Sequence, residues 1–204
     1  MEHYPNDKHL AVFGDICVKT ISKNIAIIAI FASLYATASL LTAYIPTGIF
    51  FIQFRPAIAI PMVAAVIYSP LTAGLSAAIG TFIASIIRYG TPLLTIFSGT
   101  PANFLGFYTM SLTYRVLRRN RVNWILALIL SSITGLIVGS VIIGLGLWFI
   151  AVHVAPGLLP KGFANIGFAL TSSFILVFAP APIALFITVL VIDVLKKSGK
   201  ISNI

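Results

Sequence analysis

The chain has 204 residues, of which 59% are hydrophobic and only 8% charged; its mean hydropathy is +1.08 and its net charge +9. A soluble domain carries roughly a quarter charged residues, so this balance excludes an ordinary water-soluble globule and points to lipid as the solvent. The apolar runs are continuous rather than alternating, which argues against a transmembrane barrel. The length suits roughly five to seven spans of ~20 residues each.

Residues 1–24 are polar and mixed (MEHYPNDKHLAVFGDICVKTISKN). They lack the short apolar core and small-residue cleavage site of a removable signal peptide, and read as a cytoplasmic N-terminal segment. The membrane domain is predicted over 25–197, with 198–204 as a cytoplasmic tail. Cys17 is the sole cysteine, which leaves no intramolecular disulfide and no cysteine-built metal site.

A first span is predicted over 25–45, closed by Pro46 and Gly48. The next apolar stretch, 50–68, is interrupted by Arg55, Pro56 and Pro61; counted from Pro56 it falls short of a ~30 Å hydrocarbon core. Ser69-Pro70 leaves almost no loop, so a third helix over 71–87 must run antiparallel to it. Gly90, Pro92, Gly99 and Pro101 mark a break before a fourth helix that ends near Tyr114. A fifth, 124–152, is long enough to tilt or to project. After a Pro/Gly-rich loop at 155–162 comes the last apolar stretch, 163–194. Pro180 and Pro182 should kink or split it, leaving 163–178 open between a spanning, a dipping and an interfacial segment.

The expected fold is thus an all-α integral membrane protein, a six-transmembrane-helix bundle with both termini cytoplasmic. In that topology ten of the 13 Lys and Arg residues lie inside, among them Lys8, Lys19, Lys23, Arg115, Arg118 and Arg119, as the positive-inside rule requires. A dipping hairpin over 50–87 would keep the same parity with four crossings.

The acidic residues are Glu2, Asp7, Asp15 and Asp193. None falls at the bilayer midplane, which disfavours a self-powered proton relay. Asp193 is set to pair locally with Lys196 or Lys197. A G-x-x-x-x-G-K-[ST] phosphate loop is missing, as are a metal triad and a G-x-S-x-G nucleophile turn. An enzyme is not expected, nor are a cofactor, a metal or a nucleic-acid partner.

The segment FRPAIAIPMVAAVIYSPLTAGLSAAIGTFIASII (54–87) resembles the second and third helices of the substrate-binding S components of energy-coupling factor (ECF) transporters. Its marks are an apolar helix, a Ser-Pro-Leu turn and glycines at helical spacing, Gly74 and Gly80. AIFASLYATAS carries an Ala32-x-x-x-Ala36 pair, and GTPANFLGFYTMSLTYRVLRR (99–119) is similar to the fourth helix with its basic exit. The resemblance implies capture of a small micronutrient, such as a vitamin or precursor, from outside the inner (cytoplasmic) membrane. Uptake would be driven by a transmembrane coupling subunit and two ABC ATPases. It further implies that Ala32 and Ala36 contact the coupling subunit. The aromatic and acidic residues that mark known vitamin-binding members have no recognisable counterpart.

Candidate ligand residues come from the outer half. Arg55 suits a carboxylate or phosphate, or else snorkels to headgroups. Arg88 and Tyr89 end the third helix, where arginine also satisfies helix-end carbonyls. Asn103, with Thr100 beside it, needs a polar partner in an apolar run. Trp148 stacks on a planar ligand or anchors at the interface. Asn165 and His153 flank a loop placed to act as a lid. An outer face with Arg55, Arg88 and Lys161 and no acidic residue favours an anionic or neutral ligand. The competing classes are an autonomous facilitator or sodium-coupled carrier, and a membrane scaffold.

Overall fold

A computed structural model describes the backbone of residues 7–42 and 56–199, with side chains from Ile21 onward. Helix α1 runs over Asp7–Thr42 without interruption. The change of composition at 24/25 is therefore not a break in the backbone. The expected end of the first span and the stretch 50–55, including Arg55, lie outside the described residues.

A 3-10 turn, Pro56–Ile58, leads into α2, Ala59–Ile67. This short helix is apolar on every face, and such a helix belongs inside a bundle rather than at its edge. Met62, Ala64 and Ala65 are wholly buried, and α2 packs against α1, α3, α4 and α7. Tyr68 is extended, and the Ser69 hydroxyl accepts the Thr72 N–H at 3.2 Å. With Pro70 at the first helical position, α3 (Pro70–Tyr89) starts at once and ends at Gly90, whose φ is 70°. It is the antiparallel return expected, two residues longer at its C-terminal end.

The break expected between Gly90 and Pro101 is confined to its first part. A π turn at Thr95–Gly99 feeds directly into α4, Thr100–Arg119. Neither Gly99 nor Pro101 stops the helix. Helix α5, Trp124–Phe149, continues through a second π turn, Ile150–Val154. Beyond the loop and a 3-10 turn at Lys161–Ala164 come α6, Ile166–Phe178, and α7, Ala181–Lys197. Pro180 kinks the last stretch as expected. Helix α6 lies on α5 and α7 on α2, with little contact between them, so the two form one bent rod and not a hairpin. No strand occurs among the described residues.

Four segments are long and apolar enough to cross a membrane: Ile21–Thr42, Pro70–Tyr89, Trp124–Val154 and Ile166–Lys197. Outward-facing Ile25, Ile30 and Leu34 of α1, with Leu130, Ile133 and Ile137 of α5, give the bundle an apolar exterior. The chain is a multi-pass, all-α membrane protein. Helix α4 has the length but a more polar composition, and Pro56–Ile67 is apolar but shorter.

One end of the bundle is basic. The Arg115 guanidinium donates to the Tyr68 carbonyl and that of Arg118 to the Val122 carbonyl at 2.7 Å. The Lys196 ammonium lies 4.1 Å from the centre of the Trp124 ring, a cation–π contact. Asp193 pairs with Lys197 at 2.8 Å on the α7 surface, the local ion pair expected.

Close backbone approach holds the helices together. On α5, a Cβ at Gly135 would lie 2.6 Å from the Gly106 carbonyl of α4, whereas one at Gly139 would rest 3.7 Å from the Ala102 carbonyl. Gly135→Ala therefore should destabilise the bundle by about 1–3 kcal/mol, while Gly139→Ala should leave it unchanged or slightly more stable. Thermal unfolding in detergent followed by far-UV circular dichroism separates the two.

Candidate ligand-binding cavity

The second half of α3, the first half of α4 and the middle of α5 surround a cavity of about 200 Å³, and Tyr35 of α1 reaches into it. Those helix halves point away from the basic end, so the cavity lies toward the opposite end of the bundle. Met62, Phe107, Met110 and Leu136 give it apolar walls, and Leu176, Val177 and Pro180 close it beside the α6–α7 bend. Among the described residues, no charged side chain lines it.

The π turn shapes one wall. Pro101 has no N–H to give the Phe97 carbonyl, and the local pairing shifts by one residue, with the Thr100 N–H donating to the Thr95 carbonyl. The Thr95 and Thr100 hydroxyls lie 2.9 Å apart, and the Ser98 hydroxyl donates to the Leu94 carbonyl. Gly146 of α5 covers this turn: a Cβ there would stand 2.1 Å from the Phe97 oxygen. No other residue would let α5 approach so closely.

Asn103 is held from two sides. Its Nδ2 donates to the Gly99 carbonyl at 2.8 Å, and its Oδ1 accepts the Tyr35 hydroxyl at 3.1 Å. A carbonyl only accepts, so the Gly99 bond fixes which way the amide points and makes Tyr35 the donor. The inter-helix partner that an asparagine in an apolar run requires is a phenol on α1, three helices earlier in the sequence.

A loop covers the neighbouring end of α5. Its Leu159 and Phe163 border the cavity and are buried in a small cluster with Ile150 and Ala169, against which Trp148 packs. Phe163 meets Phe168 edge-on, with ring centres 5.3 Å apart. Asn165 caps α6, its Oδ1 accepting the Gly167 and Phe168 N–H groups at 2.9 and 3.2 Å.

Of the residues expected at the site, Tyr89 and Asn103 border the cavity. Arg88 does not line it; its guanidinium lies 5.4 Å from the centre of the Tyr89 ring, and its Nη1 is buried without a hydrogen-bond partner among the described residues. Trp148 packs in the loop cluster, edge-on to His153 at 5.7 Å between ring centres. Asn165 is exposed and serves as a helix cap. Thr100 bonds Thr95 and does not line the cavity.

Ala32 and Ala36 are placed inside the bundle. They are 2% and 5% exposed and sit on the face of α1 packed against α3, where a Cβ at Gly80 would come within 2.8 Å of the Ala32 carbonyl. The pair joins α1 to α3 within this chain. The polar lining residues missing from the sequence-based set are Tyr35, Thr81, Ser85, Thr95, Ser98 and Ser132. Thr81, Ser85 and Tyr89 recur at every fourth position on one face of α3, and that spacing was the available signal.

Compared with protein-family models, with characterised proteins and with solved structures, the chain finds no match in any of the three.

Tyr35→Phe should lower stability by about 1–3 kcal/mol, the cost of leaving the Asn103 Oδ1 without its donor. Asn165→Ala should cost about 1 kcal/mol through the lost cap, with Asn165→Asp retaining most of it. Both are read by thermal unfolding in detergent.

Proposed function

We propose that this chain is the substrate-capturing membrane subunit of an ECF-type transporter, taking a small micronutrient from outside the cytoplasmic membrane. The observation that carries this function is the cavity: it opens a binding volume between helices at the end opposite the basic cluster. Positive-inside orientation makes that end the outer one. The α2 segment then serves as the second of six crossings and α4 as the fourth, with both termini in the cytoplasm.

Transport needs an energy source, and the sequence carries no phosphate-binding loop. ATPases acting in trans through a coupling subunit supply it. With Ala32 and Ala36 covered by α3, docking falls to the outward face of α1, where Ser33 and Thr37 are exposed. Small residues there allow another helix to approach closely.

Purification of the tagged chain from its native membrane tests this directly. The expected result is recovery of a transmembrane coupling subunit and two ABC ATPases. Ser33→Trp should weaken that recovery at least tenfold while the protein stays folded, whereas Ala32→Trp should prevent folding. Substrate uptake by the chain alone in liposomes, with no ATPase present, would overturn the proposal in favour of an autonomous carrier.

A further inference from the structure

Buried hydroxyls on membrane helices usually bond back to the carbonyl one turn earlier, and most of those in this bundle do. Ser132, Ser140, Ser173 and Thr188 each donate to the carbonyl four residues before them at 2.7–2.8 Å. Thr81 departs from this habit. It is 1% exposed, and its Oγ1 is buried with no hydrogen-bond partner among the described residues. Its methyl group faces the π turn, 3.3 Å from where a Cβ on Gly99 would stand. Ser39 is likewise unpaired, but only Thr81 borders the cavity. A buried hydroxyl left unmatched is costly, and one that lines a cavity is matched when a ligand fills it.

The remaining capacity around Thr81 defines what that ligand offers. Asn103 has spent one amide hydrogen on Gly99 and one oxygen lone pair on Tyr35, which leaves it a second N–H. The Tyr35 oxygen, having donated its hydrogen, still accepts. The polar lining of the cavity thus includes Thr81, with Ser85 and Tyr89 on the same face of α3, the second Asn103 N–H and the Tyr35 oxygen, within largely apolar walls and with no charged side chain among the described lining residues. Its volume of about 200 Å³ exceeds the roughly 150 Å³ that accommodates a benzene ring in an apolar protein cavity.

We infer that the cavity binds a neutral ring carrying a carbonyl beside an N–H, a cyclic amide or related heterocycle, with Thr81 the residue that selects it. The inference rests on the cavity being the capture site and not on the identity of the energy source. An anionic ligand, which the outer basic residues left open, is not what this lining fits: ionised oxygens would find donors on one side only and no countercharge on the described walls.

The test uses the full-length protein in detergent with three probes of similar size: 2-pyridone, toluene and benzoate. Isothermal titration should show 2-pyridone binding one to one and more tightly than toluene, with no benzoate binding. Thr81→Val, of nearly the same shape, should weaken 2-pyridone roughly 3- to 10-fold, the worth of one neutral hydrogen bond, and leave toluene unchanged. Without ligand, Thr81→Val should melt at or above the unsubstituted protein, because it removes an unmatched hydroxyl. Benzoate binding more tightly than 2-pyridone, equal 2-pyridone affinity in Thr81→Val, or no binding of 2-pyridone would each overturn the inference. Co-purifying ATPases with no 2-pyridone binding would sink this ligand class alone; a 2-pyridone site that depends on Thr81, without ATPases, would sink the transporter and leave the site standing.

Discussion

Hydrocarbon is as apolar as leucine, and helices in it gain little by hiding apolar side chains from their surroundings. What joins them here is close contact between backbones, and that requires surfaces with almost no side chain. Gly80 against the Ala32 carbonyl joins α3 to α1, and Gly135 against the Gly106 carbonyl joins α5 to α4. The larger aliphatic residues are turned outward on the same helices. The inversion relative to a soluble protein is consistent: small and hydroxylated residues inside, isoleucine and leucine outside. The central position of α2 depends on it too, because its alanines let four other helices close around a segment too short to stand at the periphery.

The cavity is a consequence of the same packing. Where glycine meets backbone, the helices touch; between such points they separate. Helices α4 and α5 touch at Gly106–Gly135 and again where Gly146 meets Phe97, and both contacts flank the space that Asn103 and Thr81 border. The hydrogen bonds from Tyr35 to Asn103 and from Asn103 to Gly99 fix the polar wall without any ligand. The site is largely formed in advance, as small-molecule sites usually are.

Much of the architecture was legible in the sequence. The apolar runs, the Ser69-Pro70 turn and the kink at Pro180 follow from local chemistry that tertiary contacts do not override. Gly99 and Pro101 misled because a π turn absorbs the missing proline N–H by shifting the pairing one residue, so two helix-breaking residues sit inside a continuous helix. Ala32 and Ala36 show a different limit. Small-residue spacing says that a backbone approaches closely, but not whose backbone it is. The candidate site was half legible: Asn103 and Tyr89 were accessible as polar residues in apolar runs. Tyr35 escaped notice because a tyrosine in a membrane helix reads as interfacial, and Thr81 because threonines ordinarily satisfy themselves on their own helix.

The π turn at Thr95–Gly99 has a bearing on how this wall can vary. It holds one residue more than the α-helical turn that would otherwise occupy the same length. The extra residue is taken up by wider winding at the turn itself, so the helix on either side keeps the face it presents. Thr95, Ser98 and Gly99 line the cavity from this widened stretch, and Gly146 of α5 lies against the Phe97 carbonyl of the same stretch. The polarity of one wall and a close contact between helices are thus set at one place, and a change in chain length there alters both.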